Sequence, residues 1–278
     1  MIEVGRFHDV DVVKVVRFGA YVGPADDAVL VPGKFLPEGT RVGDRLRVFV
    51  YHDSEDRPVA TTRAPLAALD EFAAMRVVDV TPHGAFVDWG LEKDLFVPNV
   101  EQFRQMVVDS IHVVAVRMDE RTGRLIGSSK LAGLLDDDPS ELEPGREVDL
   151  LVYGANAVGA LAVVDQRYAG LVYHDEGGRS LRVGTATVGY VDRLRRDGKV
   201  DVSLRKRGRA AQLDAGEVIL AALRDSEAGF LPLHDKSPAD RIARQLDMSK
   251  KVFKAAIGGL LKSGEIDLEE DGIRLRDG

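Results

Sequence analysis

Gly84-Ala85-Phe86-Val87-Asp88-Trp89-Gly90, followed by Leu95-Phe96-Val97-Pro98, is the stretch on which the fold turns. Both runs are short, rich in β-branched and aromatic residues, and bounded by Gly, Pro and Asp, which reads as two strands and a turn. The same pattern stands upstream. Gly19-Ala20-Tyr21-Val22 precedes its counterpart by 65 positions, and Val29-Leu30-Val31-Pro32 precedes Leu95 to Pro98 by 66. A looser third copy runs Gly159-Ala160-Leu161-Ala162-Val163 and then Gly170-Leu171-Val172-Tyr173-His174. Each copy closes on a strand after a charged turn: Ser54-Glu55-Asp56-Arg57, Arg121-Thr122-Gly123-Arg124, and Arg195-Arg196-Asp197-Gly198. The last holds Asp-Gly, a strong hairpin signal. A repeated β unit of about 65 residues is too small for a sandwich and fits a five-stranded closed barrel.

Working outward, three barrel units are expected over 1–63, 68–131 and 144–207. Ala64-Pro65 ends the first, and the alanine-rich stretch 66–74 is a connector that a short helix would suit. The acidic run Asp136-Asp137-Asp138-Pro139, continuing to Pro144-Gly145, separates the second from the third and is expected to be a solvated, mobile linker. It lacks the spacing and glycine of a calcium loop. After Arg209 the apolar period changes. Val218, Ile219, Ala222 and Leu223 recur at helical spacing. Ser237-Pro238-Ala239-Asp240 reads as a helix start with Ser237 as N-cap. Ser249 can cap a further helix over 250–262, with Val252, Phe253, Ala256, Ile257, Leu260 and Leu261 inward and Ser263-Gly264 at its end. Ile266-Asp267-Leu268 and Ile273-Arg274-Leu275 flank Asp271-Gly272 as a hairpin. Three helices and a terminal hairpin over 213–278 make a winged helix-turn-helix. The fold class is thus mainly β with a small α+β domain.

The chain has 278 residues, 45% of them hydrophobic and 30% charged, with a net charge of −8 and no cysteine. Disulfides, thiol catalysis and thiolate-bound metals are excluded. No run of eighteen uncharged apolar residues suggests a membrane span, and the first residues, with Glu3 among them, do not read as a signal peptide. A cytoplasmic monomer without cofactor or metal is expected. HExxH, GxSxG, P-loop and GxGxxG patterns are all missing, so an enzyme is not expected. His52-Asp53-Ser54-Glu55-Asp56 reads as a polar hairpin turn.

The net charge hides a segregation. Residues 145–209 carry twelve bases and eight acids, the one positive block. Within it Arg193, Arg195, Arg196, Lys199, Arg205, Lys206, Arg207 and Arg209 face only Asp197 and Asp201. Clustered cations focus a local field whatever the global sign, which suits a polyanion.

The second copy, from Gly84 to Gly90 through Leu95 to Pro98 and closing on Gly123-Arg124-Leu125-Ile126 with Ser128, Ser129 and Lys130, resembles an S1 domain, the oligonucleotide-binding (OB) barrel of ribosomal protein S1. The third, ending on Asp197-Gly198-Lys199-Val200-Asp201-Val202-Ser203-Leu204, resembles another. Three such units followed by a winged helix is similar to the conserved virulence factor B (CvfB-like) family of bacterial RNA-binding proteins. Val48 to Arg57 with Ala60-Thr61-Thr62 is close to that family's first repeat, and Ser237-Pro238 with Leu246 to Ala256 is close to its C-terminal domain.

The resemblance implies single-stranded RNA as partner and post-transcriptional regulation as role. OB barrels stack aromatic rings on bases and track phosphates with basic side chains. Tyr21 and Phe86 hold the matching second-strand position and Phe96 the third strand. In the third unit Leu161 or Ala162 replaces the ring, with Tyr168, Tyr173 and His174 nearby. The second unit has Pro98-Asn99 where the family carries His-Ile-Ser. Lys250, Lys251 and Lys254 open the helix over 250–262, the end that enters a duplex groove in helix-turn-helix proteins. A DNA-binding regulator is therefore the lesser alternative, opposed by Glu265, Asp267, Glu269, Glu270 and Asp271 in the wing; a protein–protein scaffold of degenerate barrels is another. The RNA path is expected to cross the third barrel and follow the basic cluster toward the winged helix.

Overall fold

The computed structural model describes residues 2–176, 178–205 and 208–276. Three five-stranded units follow one another. The first comprises β1 (Phe7–Val16), β2 (Gly19–Val22), β3 (Val29–Pro32), β4 (Arg45–His52) and β5 (Pro58–Thr61), closed in the order β1-β2-β3-β5-β4. Next come β6 (Phe72–Thr81), β7 (Gly84–Asp88), β8 (Leu95–Pro98), β9 (Ile111–Asp119) and β10 (Arg124–Ser128). The last unit has β11 (Glu147–Ala155), β12 (Gly159–Val164), β13 (Tyr168–Tyr173), β14 (Ala186–Leu194) and β15 (Val200–Ser203), closed like the first. The middle unit departs from the expected closure. It is a curled sheet ordered β10-β9-β6-β7-β8, in which β8 and β10 lie side by side without a ladder between them.

Three local devices recur and explain the repeat. The long first strand carries a bulge between Val12 and Lys14, Val77 and Asp79, and Val152 and Gly154. The bulge bends that strand so that it pairs with two neighbours and the sheet curls. The second strand opens on glycine because nothing larger fits: a Cβ at Gly19, Gly84 or Gly159 would lie 2.2, 2.4 or 2.3 Å from the carbonyl oxygen of Val31, Val97 or Val172. The closing strand ends in a buried hydroxyl, Thr61, Ser128 or Ser203, which accepts from the amide of Arg63, Lys130 or Arg205.

The units are joined by side chains, and the connectors differ from expectation. No helix forms at 66–74; Ala67 and Ala68 are buried and Phe72 already begins β6. Lys34 pairs with Glu92, Arg6 with Asp70, and the Lys93 ammonium donates to the Asp53 carbonyl at 2.6 Å, all between the first and second units. Gln166 then clips the third unit to the second, donating to the Phe72 carbonyl at 3.0 Å and accepting from its amide at 2.8 Å. The acidic run is tied down rather than free. Arg167 pairs with Asp136 at 3.0 Å and Glu141 at 2.8 Å, while Leu142 is buried in the third core.

Beyond residue 207, α1 (Gly208–Asp225), β16 (Phe230–Leu231), α2 (Ala239–Leu246), α3 (Lys250–Ser263), β17 (Ile266–Leu268) and β18 (Ile273–Leu275) form the winged helix. Its core is Ile219, Leu223, Leu233, Ile242, Phe253, Ile266 and Ile273, each sealed from solvent. Ser249 caps α3 through the Val252 amide, and Gly264 ends it at φ 80°. Three expectations shift, the first being Leu261, which is exposed rather than inward on α3. Pro238, not Ser237, is the N-cap of α2; the Ser237 hydroxyl instead accepts from the His234 amide at 3.0 Å and closes the preceding turn. Val218 faces out, and Leu220 takes its place in the core.

Candidate nucleic-acid interface

The second-strand position is set by the Gly-Ala opening of each unit. Ala20, Ala85 and Ala160 point into the core, so the next residue points out and stays half-buried. That places Tyr21, Phe86 and Leu161 in corresponding positions, and Ala162 in the third core. Across the ladder stand Leu30, Phe96 and Leu171. Two rings meet only in the second unit among these three pairs. The Phe86 and Phe96 centroids are 5.1 Å apart with planes at 46°.

These rings line a cleft of about 450 Å³. Leu125 and Ile126 continue its floor, and the end of β4 supplies Tyr51 and His52 from the first unit. Trp89 packs against Phe49 and Tyr51 with centroids at 5.8 and 6.4 Å, and its indole donates to the Lys93 carbonyl at 2.6 Å. That bond holds the 89–93 loop and brings Lys93 to the cleft, where its ammonium is 3.7 Å from Asp56. Arg124 pairs with the other oxygen of Asp56. Burial, then the Lys93 charge, holds His52 below the usual imidazole value, so it is neutral at neutral pH. Its Nδ1 is buried with no hydrogen-bond partner. Burial and Asp88 push the Asp94 carboxyl up.

The third unit has a different surface. Asp201 takes the place that Ile126 holds in the second, two residues before the closing hydroxyl, and is 2% exposed. Arg193 donates to it from Nη2 at 2.7 Å and from Nε at 3.2 Å, and Arg195 lies 3.8 Å away. Arg195 and Lys199 also hold Asp197, at 3.1 and 3.2 Å. Three of the expected phosphate-binding cations are thus paired within their own barrel. Arg196 and Arg205 are exposed and make no ion pair among the described residues. Lys206 and Arg207 lie outside the described residues, as does the Arg209 side chain.

Tyr168 corrects an expectation. It is 2% exposed in the third core, under the Arg167 guanidinium at 5.0 Å, and offers no ring face to a base. Tyr173 and His174 are half-buried at the end of β13. The turn at 195–198 abuts the acidic run: a Cβ on Gly198 would sit 2.2 Å from the Asp137 carbonyl. On α3, Lys250 donates to the Lys236 carbonyl at 3.3 Å and Lys254 lies 3.9 Å from Asp235, while Lys251 is exposed.

Sequence reasoning missed Tyr51, His52, Lys93 and Arg124 as parts of one place. Each belongs to a turn or strand end that looks ordinary within its own repeat. The signal was present in Trp89, the chain's one tryptophan, set between the two ring-bearing runs.

Comparison with known proteins agrees with this architecture. A family model described as S1 domain matches residues 4–63, and one described as CvfB-like winged helix domain matches 217–275. The uncharacterized protein YitL of Bacillus subtilis is 30% identical over 264 residues, covering 92% of this chain and 87% of that one. Conserved virulence factor B of Staphylococcus epidermidis is 25% identical, covering 96% of each. A crystal structure from Streptococcus pneumoniae, described as a multidomain protein with nucleic acid binding domains, is 23% identical with a TM-score of 0.45, covering 98% of each chain. Among the described residues no helix is long and apolar enough to cross a membrane.

Proposed function

Because the chain belongs to the CvfB-like family of S1-domain and winged-helix proteins, we propose that it is a non-catalytic RNA-binding protein that takes single strands across its barrel faces and acts in post-transcriptional control. The observation that carries this is the Phe86–Phe96 pair, two half-exposed rings side by side on the outer face of a curled five-stranded sheet. Bases of a single strand present flat faces that stack on such rings, whereas those of a duplex are already stacked on one another. The second unit is then the main stacking platform, with Tyr21 as a lesser one. Phosphates are left to cations not already paired, Arg196 and Arg205 among them. This moves the expected path from the third barrel to the second, because the third offers Leu161 and an internally neutralised cluster. The winged helix serves as an auxiliary module: Lys250 and Lys254 are engaged within it, and Arg274 and Arg276 pair with Glu269 and Asp267 of the wing.

Titrating the full chain with labelled single-stranded RNA and with duplex DNA, each at several salt concentrations, tests the reading. Tighter binding to the single strand, weakened by Phe86→Leu, is expected. Tighter binding to the duplex overturns it in favour of a DNA regulator, and binding to neither favours a protein scaffold.

A further inference from the structure

We propose that the cleft between the first and second barrels is a composite subsite for one unpaired nucleobase and its phosphate, and that Asp56 competes with that phosphate. This subsite rests on the RNA-binding reading above and adds the first barrel to the site. A cleft of about 450 Å³ falls within the usual range of small-molecule sites, roughly 300–1,000 Å³, and has their make-up, apolar walls with a few polar groups. Phe86, Phe96, Leu125 and Ile126 form walls from the second barrel, and Tyr51 closes the space from the first.

The polar groups suit a base and its phosphate. His52 is held neutral by burial and by Lys93, and a neutral imidazole offers one donor and one acceptor, the complement of a base edge. Of the two cations of the cleft, Arg124 pairs directly with Asp56, and Lys93, which donates to the Asp53 carbonyl at 2.6 Å, lies 3.7 Å from it. Asp56 is 40% exposed on its side chain, so these pairs are weak and open to exchange. A phosphodiester presents two oxygens as a carboxylate does, so it can take the place of Asp56 before both cations. Asp56 sits at φ 60°, a left-handed conformation that Asn tolerates, so its charge can be removed without disturbing the turn.

The test uses the full chain, a short labelled single-stranded RNA of mixed sequence, and the emission of Trp89, which lines the cleft and is the chain's one tryptophan. Trp89 emission is expected to change in step with the anisotropy of the RNA. His52→Ala should weaken binding roughly three- to tenfold, the worth of a hydrogen bond. Asp56→Asn should tighten it roughly two- to fivefold and steepen the salt dependence by about 0.7 for each phosphate that the freed cations neutralise. A rise in affinity is an outcome that misfolding does not imitate. RNA binding with silent Trp89 emission and no response to either substitution overturns the cleft and leaves the RNA-binding reading standing. Weaker binding by Asp56→Asn overturns the competition. No binding by the unaltered chain overturns both readings together.

Discussion

Replacing Phe86 by Leu isolates stacking from charge and from folding. The third barrel already carries Leu161 at the corresponding position, opposite Leu171, so leucine suits this place in the fold. Phe86 is half-buried and its neighbours on the strand, Ala85 and Val87, keep the core contacts. What the substitution removes is a ring 5.1 Å from Phe96. Base–aromatic stacking is worth about 1–3 kcal/mol per base, which is roughly a 5- to 150-fold loss of affinity. Phe96→Leu should cost a similar amount, and the double substitution less than the sum, because the two rings share one platform. No charge changes, so the slope of log affinity against log salt should stay the same. Fluorescence anisotropy with labelled single-stranded RNA at several salt concentrations reads both quantities, with urea denaturation to verify stability. Unchanged affinity in a folded Phe86→Leu chain refutes the reasoning. So does a loss accompanied by a flatter salt slope, which would mean that the substitution displaced cations.

Other outcomes follow from the same contacts. Lys199→Ala and Arg195→Ala should lower the salt slope by less than the usual 0.7 or so per phosphate contact, since both cations already hold Asp197; a full decrement for each would restore the third barrel as the main path. Asp201→Ala leaves two guanidinium groups beside an empty buried position and should lower stability by about 1–3 kcal/mol, discounted because Arg193 is largely exposed; an unmoved urea midpoint contradicts it. Gln166→Ala removes both hydrogen bonds to Phe72, about 1–3 kcal/mol in all, and small-angle scattering should register a looser arrangement of the second and third barrels. Burial holds His52 and His112 below the ordinary value of 6.5, so the unfolded chain takes up protons first and stability should fall as pH drops below about 6.5. His112→Gln should shrink that fall in a urea titration, and an unaltered pH profile would count against it.

The fold is legible in the sequence because its devices are local. Gly-Ala at the second strand, the charged turn and the closing hydroxyl sit in the same order in each unit, with 42, 44 and 44 positions from that glycine to the hydroxyl. The steric demand at Gly19, Gly84 and Gly159 accounts for that recurrence. Ser249 and Gly264 can likewise be read as caps because their partners are three or four residues away. What escapes is non-local. The charge excess over 193–209 is real, but Asp201 is buried where Arg193 and Arg195 converge, and counting residues does not show pairing. The acidic run reads as a linker because its partner, Arg167, is more than twenty residues away. Tyr168 reads as a stacking ring only while its side of the strand is unknown. The cleft needs Tyr51 and His52 from one repeat and Phe86 and Phe96 from the next, and similarity between repeats says nothing about how they face each other.

Photo-cross-linking tests the central claim most directly. A single-stranded RNA carrying 4-thiouridine is bound to the full chain, irradiated, and the linked peptides are identified by mass spectrometry. Cross-links are predicted on β7 and β8, at the peptides that contain Phe86 and Phe96, and on the β4–β5 turn with His52. Cross-links confined to 193–209 and the start of α3, with none on the second barrel, would contradict the account and place the strand on the third barrel and the winged helix.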